Sequence, residues 1–176
     1  MSTTASTTAS TIARTLLPEF DNEMATTRRL LERVPEAQAA WKPHPKSTAV
    51  GALAQHIATL AGFGAMLIGG TGRDVGAGAG IAPPQFVSSK ALLETFDANV
   101  KKSHDAIAAV SDAELAEKWT LRNGDRVIFS LPRSAALRAM LMNHIIHHRG
   151  QLGVYLRLLD VPVPSVYGPT ADEPMV

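Results

Sequence analysis

The chain has 176 residues, enough for one domain with a sizeable core, and its 45% hydrophobic content is that of an ordinary globular protein. Its 17 basic and 16 acidic residues give a net charge of +1, which supplies no electrostatic case for nucleic acid or an anionic membrane as partner. It has no cysteine, so disulfides, thiolate zinc sites and cysteine nucleophiles are excluded, and any metal must be held by His, Asp or Glu.

Met1 to Ala13 is almost entirely Ser, Thr and Ala. It lacks the apolar centre of a secretory signal and the several arginines of a transit peptide, so it reads as a disordered tail ahead of one domain spanning 14–176. The lack of cysteine fits a reducing, cytoplasmic setting. A first helix is expected from about Leu17 to Val34, with Phe20, Met24, Leu30, Leu31 and Val34 at helical spacing. Pro35 and the run Trp41-Lys42-Pro43-His44-Pro45 mark a stiff connection. Ser47 or Thr48 is expected to cap a second helix reaching Ile68. Its window, Ala49 to Ile68, is the most apolar of the chain. Gln55, His56, Thr59 and several glycines interrupt it, and it reads as too broken to span a bilayer.

The stretch Gly69 to Gly80, followed by Pro83-Pro84, carries too many glycines for regular structure and is expected to be a long loop. It lacks the Lys-Ser/Thr ending of a phosphate-binding loop. Ser88 or Ser89 caps a third helix to about Val110, and Ser111 with Glu114 forms a capping box for a short further turn. Asn123-Gly124, flanked by Trp119-Thr120-Leu121 and Val127-Ile128-Phe129, predicts a small β-hairpin. A last long helix is expected from Pro132 or Arg133 to Leu159, and the proline-rich tail from Val161 should lie extended along the surface. Four long helices with uneven connections predict an all-α four-helix bundle with a small hairpin between the third and fourth.

The six histidines divide by angular position. With about 100° per residue and His148 as origin, Leu137, Leu141, Leu152, Tyr155 and Leu159 fall within about 40°, and His144 lies about 40° to one side. His147 lies about 100° away. On the second helix, His56 shares a face with Leu53, Leu60, Phe63 and Leu67, all within about 60°. His56, His144 and His148 are therefore expected to face the core and converge. Each buried ring has a donor and an acceptor to satisfy, and one divalent metal ion would take a nitrogen from each. His144 and His148, at i and i+4, stack one turn apart. His44, among prolines, and His104, beside Lys101 and Lys102, read as structural or solvent-facing. Gln151, about 60° from His148, could orient a histidine or touch a ligand. Arg149, about 100° away, reads as paired to a carboxylate or facing a partner subunit. Tyr155 reads as packing, and Trp41 and Trp119 as packing or lining an entrance.

The string Asn143-His144-Ile145-Ile146-His147-His148-Arg149-Gly150-Gln151-Leu152 resembles the last-helix signature of the DinB-like family of damage-inducible proteins. Trp41-Lys42-Pro43-His44-Pro45-Lys46-Ser47, the segment Leu53-Ala54-Gln55-His56-Ile57, and Val163-Pro164-Ser165-Val166-Tyr167-Gly168-Pro169 resemble it in the same order, from about Leu17 to Glu173. The resemblance implies a four-helix bundle, a metal (often nickel or zinc) held by His56, His144 and His148, and often a homodimer. It also implies relatives that act as metal-dependent transferases or isomerases on low-molecular-weight thiols. Three ligands leave a position for water, thiol or substrate, so the expected function is that of a metal-dependent transferase or hydrolase with a small-molecule substrate. The alternatives are a non-catalytic metal-binding or stress-response protein, and a helical interaction protein with a residual site. No general base is evident in the sequence.

Overall fold

The computed structural model describes residues 10–76 and 85–174. Of the expected disordered tail, Met1 to Ala13, the part up to residue 9 lies outside the described residues, as do residues 77–84 of the Gly-rich loop; Thr11 to Ala13 are helical, against that expectation. The chain is predominantly helical with a small three-stranded sheet.

Helix α1 runs from Thr11 to Leu31 and so begins earlier than its apolar spacing indicated. The cause is a cap built partly from far along the chain. The Ser10 hydroxyl accepts from the Ala13 amide at 3.0 Å, and Asp112 accepts from the Thr11 and Ile12 amides at 3.0 and 3.1 Å and from the Ser10 hydroxyl. Free amides at a helix N-terminus favour a carboxylate there. Pro18 lies inside the helix, where it has no amide to offer the preceding turn.

The second expected helix is two. Helix α2, Val50–Leu60, starts without a side-chain cap, so neither Ser47 nor Thr48 plays the expected role; α3 spans Phe63–Gly69. By length and composition Val50–Gly69, with a mean hydropathy of 1.4, is long and apolar enough to cross a membrane, contrary to the reading from its interruptions. Here it is broken at Ala61-Gly62 and packed largely inside the protein. The break is held by helix α4, Ser89–Ala109. The Ser103 hydroxyl donates to the Ala61 carbonyl at 2.5 Å and faces the Ala65 amide at 3.3 Å, standing where the helical bond between those two groups would be. Asn99 donates to the freed Ala58 carbonyl at 2.9 Å. A side chain inserted into the backbone ladder is a recognised cause of a kink.

Ser88 caps α4 as expected. Ser111 and Glu114 form the expected capping box of α5, Asp112–Ala116. The expected hairpin is present as β2, Lys118–Asn123, antiparallel to β3, Arg126–Pro132. A further strand, β1, Gly72–Asp74, pairs parallel to β2, within a stretch read as loop. The glycine makes this pairing possible, because a Cβ at Gly72 would stand 2.4 Å from the Thr120 carbonyl oxygen. Buried Arg133 ties the sheet to the helices, reaching the Gly70 carbonyl at 3.0 Å and Glu117 at 2.6 Å.

The last long stretch begins as α6, Arg133–Ala136, widens into a π-helical turn over Leu137–Met142, and continues as α7, Asn143–Leu158. α1 packs on α4 and α7, and α2 packs on the same two helices. The core between them is filled by Phe20, Leu30, Leu53, Ile57, Phe96, Ile107, Leu141, Ile145 and Leu152, all essentially inaccessible. The tail folds back as a strap. Glu173 meets Arg29 at 2.5 Å, Asp172 pairs with Arg157, and Val161, Val163 and Val166 pack on the core.

Candidate metal centre

α2 and α7 lie side by side, and their contact brings His56, His144 and His148 together. The ring centroids are 4.7 Å apart for His56–His148, 4.8 Å for His144–His148 and 5.4 Å for His56–His144. One nitrogen from each ring lies within 4.8 Å of the other two. A tetrahedral ion with Zn–N bonds of about 2.0–2.1 Å needs nitrogens about 3.3 Å apart, so small side-chain rotations close the set around one ion. The donor set, three imidazoles, suits a divalent transition metal.

The rings do not stand in the core, as the angular reading expected. All three are half-buried. The buried face of α7 consists of Ile145, Arg149, Leu152 and Leu156, and the two histidines flank it. On α2 the buried face is carried by Leu53, Ala54, Ile57 and Ala58, again with His56 at its edge and Ala52 exposed. The angular reading erred on α7 because it projected Leu137 and Leu141 through an uninterrupted α-helix. The π turn holds an extra residue and shifts the phase by about 100°. That shift puts His144 and His148 at the edge of the buried face of α7.

The chemistry of the rings follows from this placement. Partial burial lowers the His56 pKa to about 4, with His148 and His144 adding to the effect. Burial also lowers that of His144, again with His148 contributing, while the Met140 carbonyl acts in the opposite direction. Near neutral pH both rings are free of the extra proton, the state a metal requires. His148 Nδ1 lies 2.8 Å from Gln151 Oε1. With that oxygen accepting, Nδ1 carries the hydrogen and Nε2 is left bare for an ion, which is the orienting role considered for Gln151.

His147 is exposed, 4.8 Å from the His148 ring, and outside the cluster, as expected. His44 accepts from the Lys46 amide in its turn, and His104 stands 3.7 Å from Asp21 and Asp105 at the surface. Trp119 is fully buried against Phe129. Arg149 is paired to a carboxylate, Glu23, but in the middle of the buried face.

His56 and His148 of the cluster line a cleft of about 500 Å³ whose walls also include Lys46, Thr48, Leu53, Gln151 and Tyr155. Trp41 meets Tyr155 edge-on at 5.8 Å and braces that wall. Sequence reading missed Lys46 and Thr48. Their only signal was their place just after the Pro-His-Pro turn, whose path no periodicity reveals. A larger groove, about 600 Å³, lies along the other flank of α7 under the tail. It is almost wholly apolar, and its two arginines are already paired.

Fold and site together define a helical protein with a three-histidine cluster that could hold a metal ion at the mouth of a cleft. Residues 19–152 match the family model of the DinB superfamily, and the chain belongs to that superfamily. Two solved structures share its fold with a TM-score of 0.64. A DinB-like protein from Bacillus cereus is 23% identical, over 86% of this chain and 95% of that one. A DinB-like protein from Bacillus subtilis is 18% identical, over 92% and 99%. No curated protein matches the sequence.

Proposed function

We propose that this protein is a metal-dependent enzyme built on a four-helix bundle, with one divalent ion held by His56, His144 and His148. The observation that carries the reading is the convergence of three imidazole nitrogens within 4.8 Å, with His56 and His148 lining an open cleft. The mutual packing of α1, α4, α2 and α7 supports the bundle. A closed structural site more usually has four protein ligands, whereas three leave a position facing the cleft. Bound there, a divalent ion would supply Lewis acidity, lowering the pKa of a water or thiol in that position.

The chain's own residues supply the rest. Gln151 holds the His148 ring in orientation. Lys46 brings a positive charge to the cleft, and Ser47, Thr48 and Tyr155 bring hydroxyls, a lining suited to a polar or anionic small molecule such as a low-molecular-weight thiol. Thiol transfer and hydrolysis are the two reactions this arrangement suits. Nickel and zinc are the ions the family resemblance implies, although imidazole also suits copper and iron.

The test is metal analysis of freshly purified protein, followed by a panel of small thiols and hydrolysable esters with and without chelator. We expect a single equivalent of a transition metal, lost in His56→Ala and His148→Ala, and a turnover that chelator abolishes. Protein that carries no metal and takes none up on reconstitution would sink the proposal. Stoichiometric metal with no turnover across the panel would favour a non-catalytic, stabilising ion.

A further inference from the structure

We infer that Arg149 is a positioning residue for the histidine cluster: its buried ion pair with Glu23 fixes the rotation of α7 about its own axis and so aims His144 and His148 at His56. The inference rests on the metal reading above and assigns what holds two of the three ligands in place.

Arg149 is 2% exposed, directly after His148 in the chain. Its guanidinium grips a single turn of α1 at three points. It lies 2.6 Å from the Glu23 carboxylate, and it donates to the Glu23 carbonyl at 3.1 Å and to the Thr27 hydroxyl at 3.2 Å. Tyr167, from the tail, closes the arrangement. Its hydroxyl donates to Glu23, 2.9 Å from both carboxylate oxygens, and its ring faces the guanidinium at 5.1 Å.

This pair stands where the buried face of α7 otherwise carries Ile145, Leu152 and Leu156. An aliphatic side chain there would serve stability as well, because desolvation offsets most of what a buried ion pair gains. What the pair supplies and an aliphatic does not is direction. A planar guanidinium held through Nη1 by two acceptors and through Nη2 by an ion contact favours one azimuth of the helix that carries it. Helix α7 has a local need for such a key. The π turn just upstream shifts its phase, and Gly153, where a Cβ would stand 3.7 Å from Leu30, brings no side chain to that packing.

The magnitudes favour this reading. A side chain reaches about 6 Å from a helix axis, so a 20° roll of α7 would carry an imidazole tip by about 2 Å. Metal–ligand distances hold only within about 0.2 Å. Side-chain rotation already has to bring nitrogens from up to 4.8 Å apart to about 3.3 Å, so a further displacement of about 2 Å would weaken the site.

The test replaces the pair with apolar residues of similar volume, Glu23→Leu with Arg149→Met, and titrates wild type and variant with Co(II) well below either melting temperature. We expect the double variant to keep its fold, while Co(II) affinity falls about tenfold or more and the visible ligand-field spectrum changes. The imidazole ¹H–¹⁵N signals of His148 in the metal-free variant should also shift. Arg149→Lys, which keeps the charge without the planar grip, should fall between wild type and the double variant, and it carries the test if the double variant fails to fold. Wild-type affinity, spectrum and His148 signals in the variants would overturn the positioning role. If wild type takes up no Co(II), the metal reading fails, and the metal-free His148 signals then decide the role of Arg149 alone.

Discussion

His56 has the largest consequence at the scale of a single residue. Burial, together with the neighbouring His148 and His144, lowers its pKa from 6.5 to about 4. In the unfolded chain that ring takes up a proton near its ordinary value. Between the two values the unfolded state therefore binds more protons than the folded one, and acid favours unfolding. Above about pH 6.5 this penalty is absent, and it grows as the pH falls towards 4. His144, shifted in the same direction, adds to it. Urea denaturation of metal-free protein at a series of pH values should show stability falling across that window. His56→Leu should flatten the slope. An unchanged slope in the variant would mean that other groups set the acid sensitivity. His144 and His148 were legible in the sequence as a pair because i, i+4 spacing is a property of one helix, and His56 joined them by its place on the apolar face of another. Their depth was not, since burial depends on what packs against that helix.

At the scale of elements, the joint between α2 and α3 shows how a neighbour edits local structure. Nothing in Ala58-Thr59-Leu60-Ala61-Gly62 forces a break, and the periodic apolar pattern continues through it. The break exists because Ser103 and Asn99 on α4 take over backbone groups that α2 and α3 would otherwise share. α3 consequently lies so close to α4 that a Cβ at Gly64 would stand 2.7 Å from Ser103 Cβ and 2.8 Å from its hydroxyl. Gly64→Ala gains helix propensity of about 1 kcal/mol but must push the two helices apart. The clash should win, with a net destabilisation of about 1–2 kcal/mol in urea unfolding. A stabilised variant would show that the joint is loose. The hairpin and both serine caps of α4 and α5 were legible because each depends on a few adjacent residues. The start of α1 was not, because half of its cap, Asp112, lies about a hundred positions away.

At the scale of the molecule, the tail determines how the far flank of α7 is covered. Sequence reading placed it along the surface, which holds, but gave no reason for it to stay there. Its attachment combines the ion pairs of Glu173 with Arg29 and Asp172 with Arg157, the Tyr167 bond to Glu23, and the packing of Val161, Val163 and Val166. Ending the chain after Asp160 should cost about 3 kcal/mol, mainly from the three valines, and lower the urea midpoint. Exposed ion pairs contribute little to that total. Unchanged stability would show that the strap is decoration.

The sequence by itself determined the helical class, the hairpin, the capping serines and the identity of the three histidines, since periodicity, turn chemistry and spacing are properties of neighbouring residues. The family signature around His144 and His148 was legible for the same reason. The tertiary structure alone decided four things: the kink at Ala61-Gly62, the strand at Gly72–Asp74, the cleft beside Lys46, and the burial of Arg149 against Glu23. Each depends on groups brought together across long stretches of chain. The phase of α7 belongs with them. A π turn shifts a helix by about one residue, and only packing against α1 and α2 selects which residues then face the core.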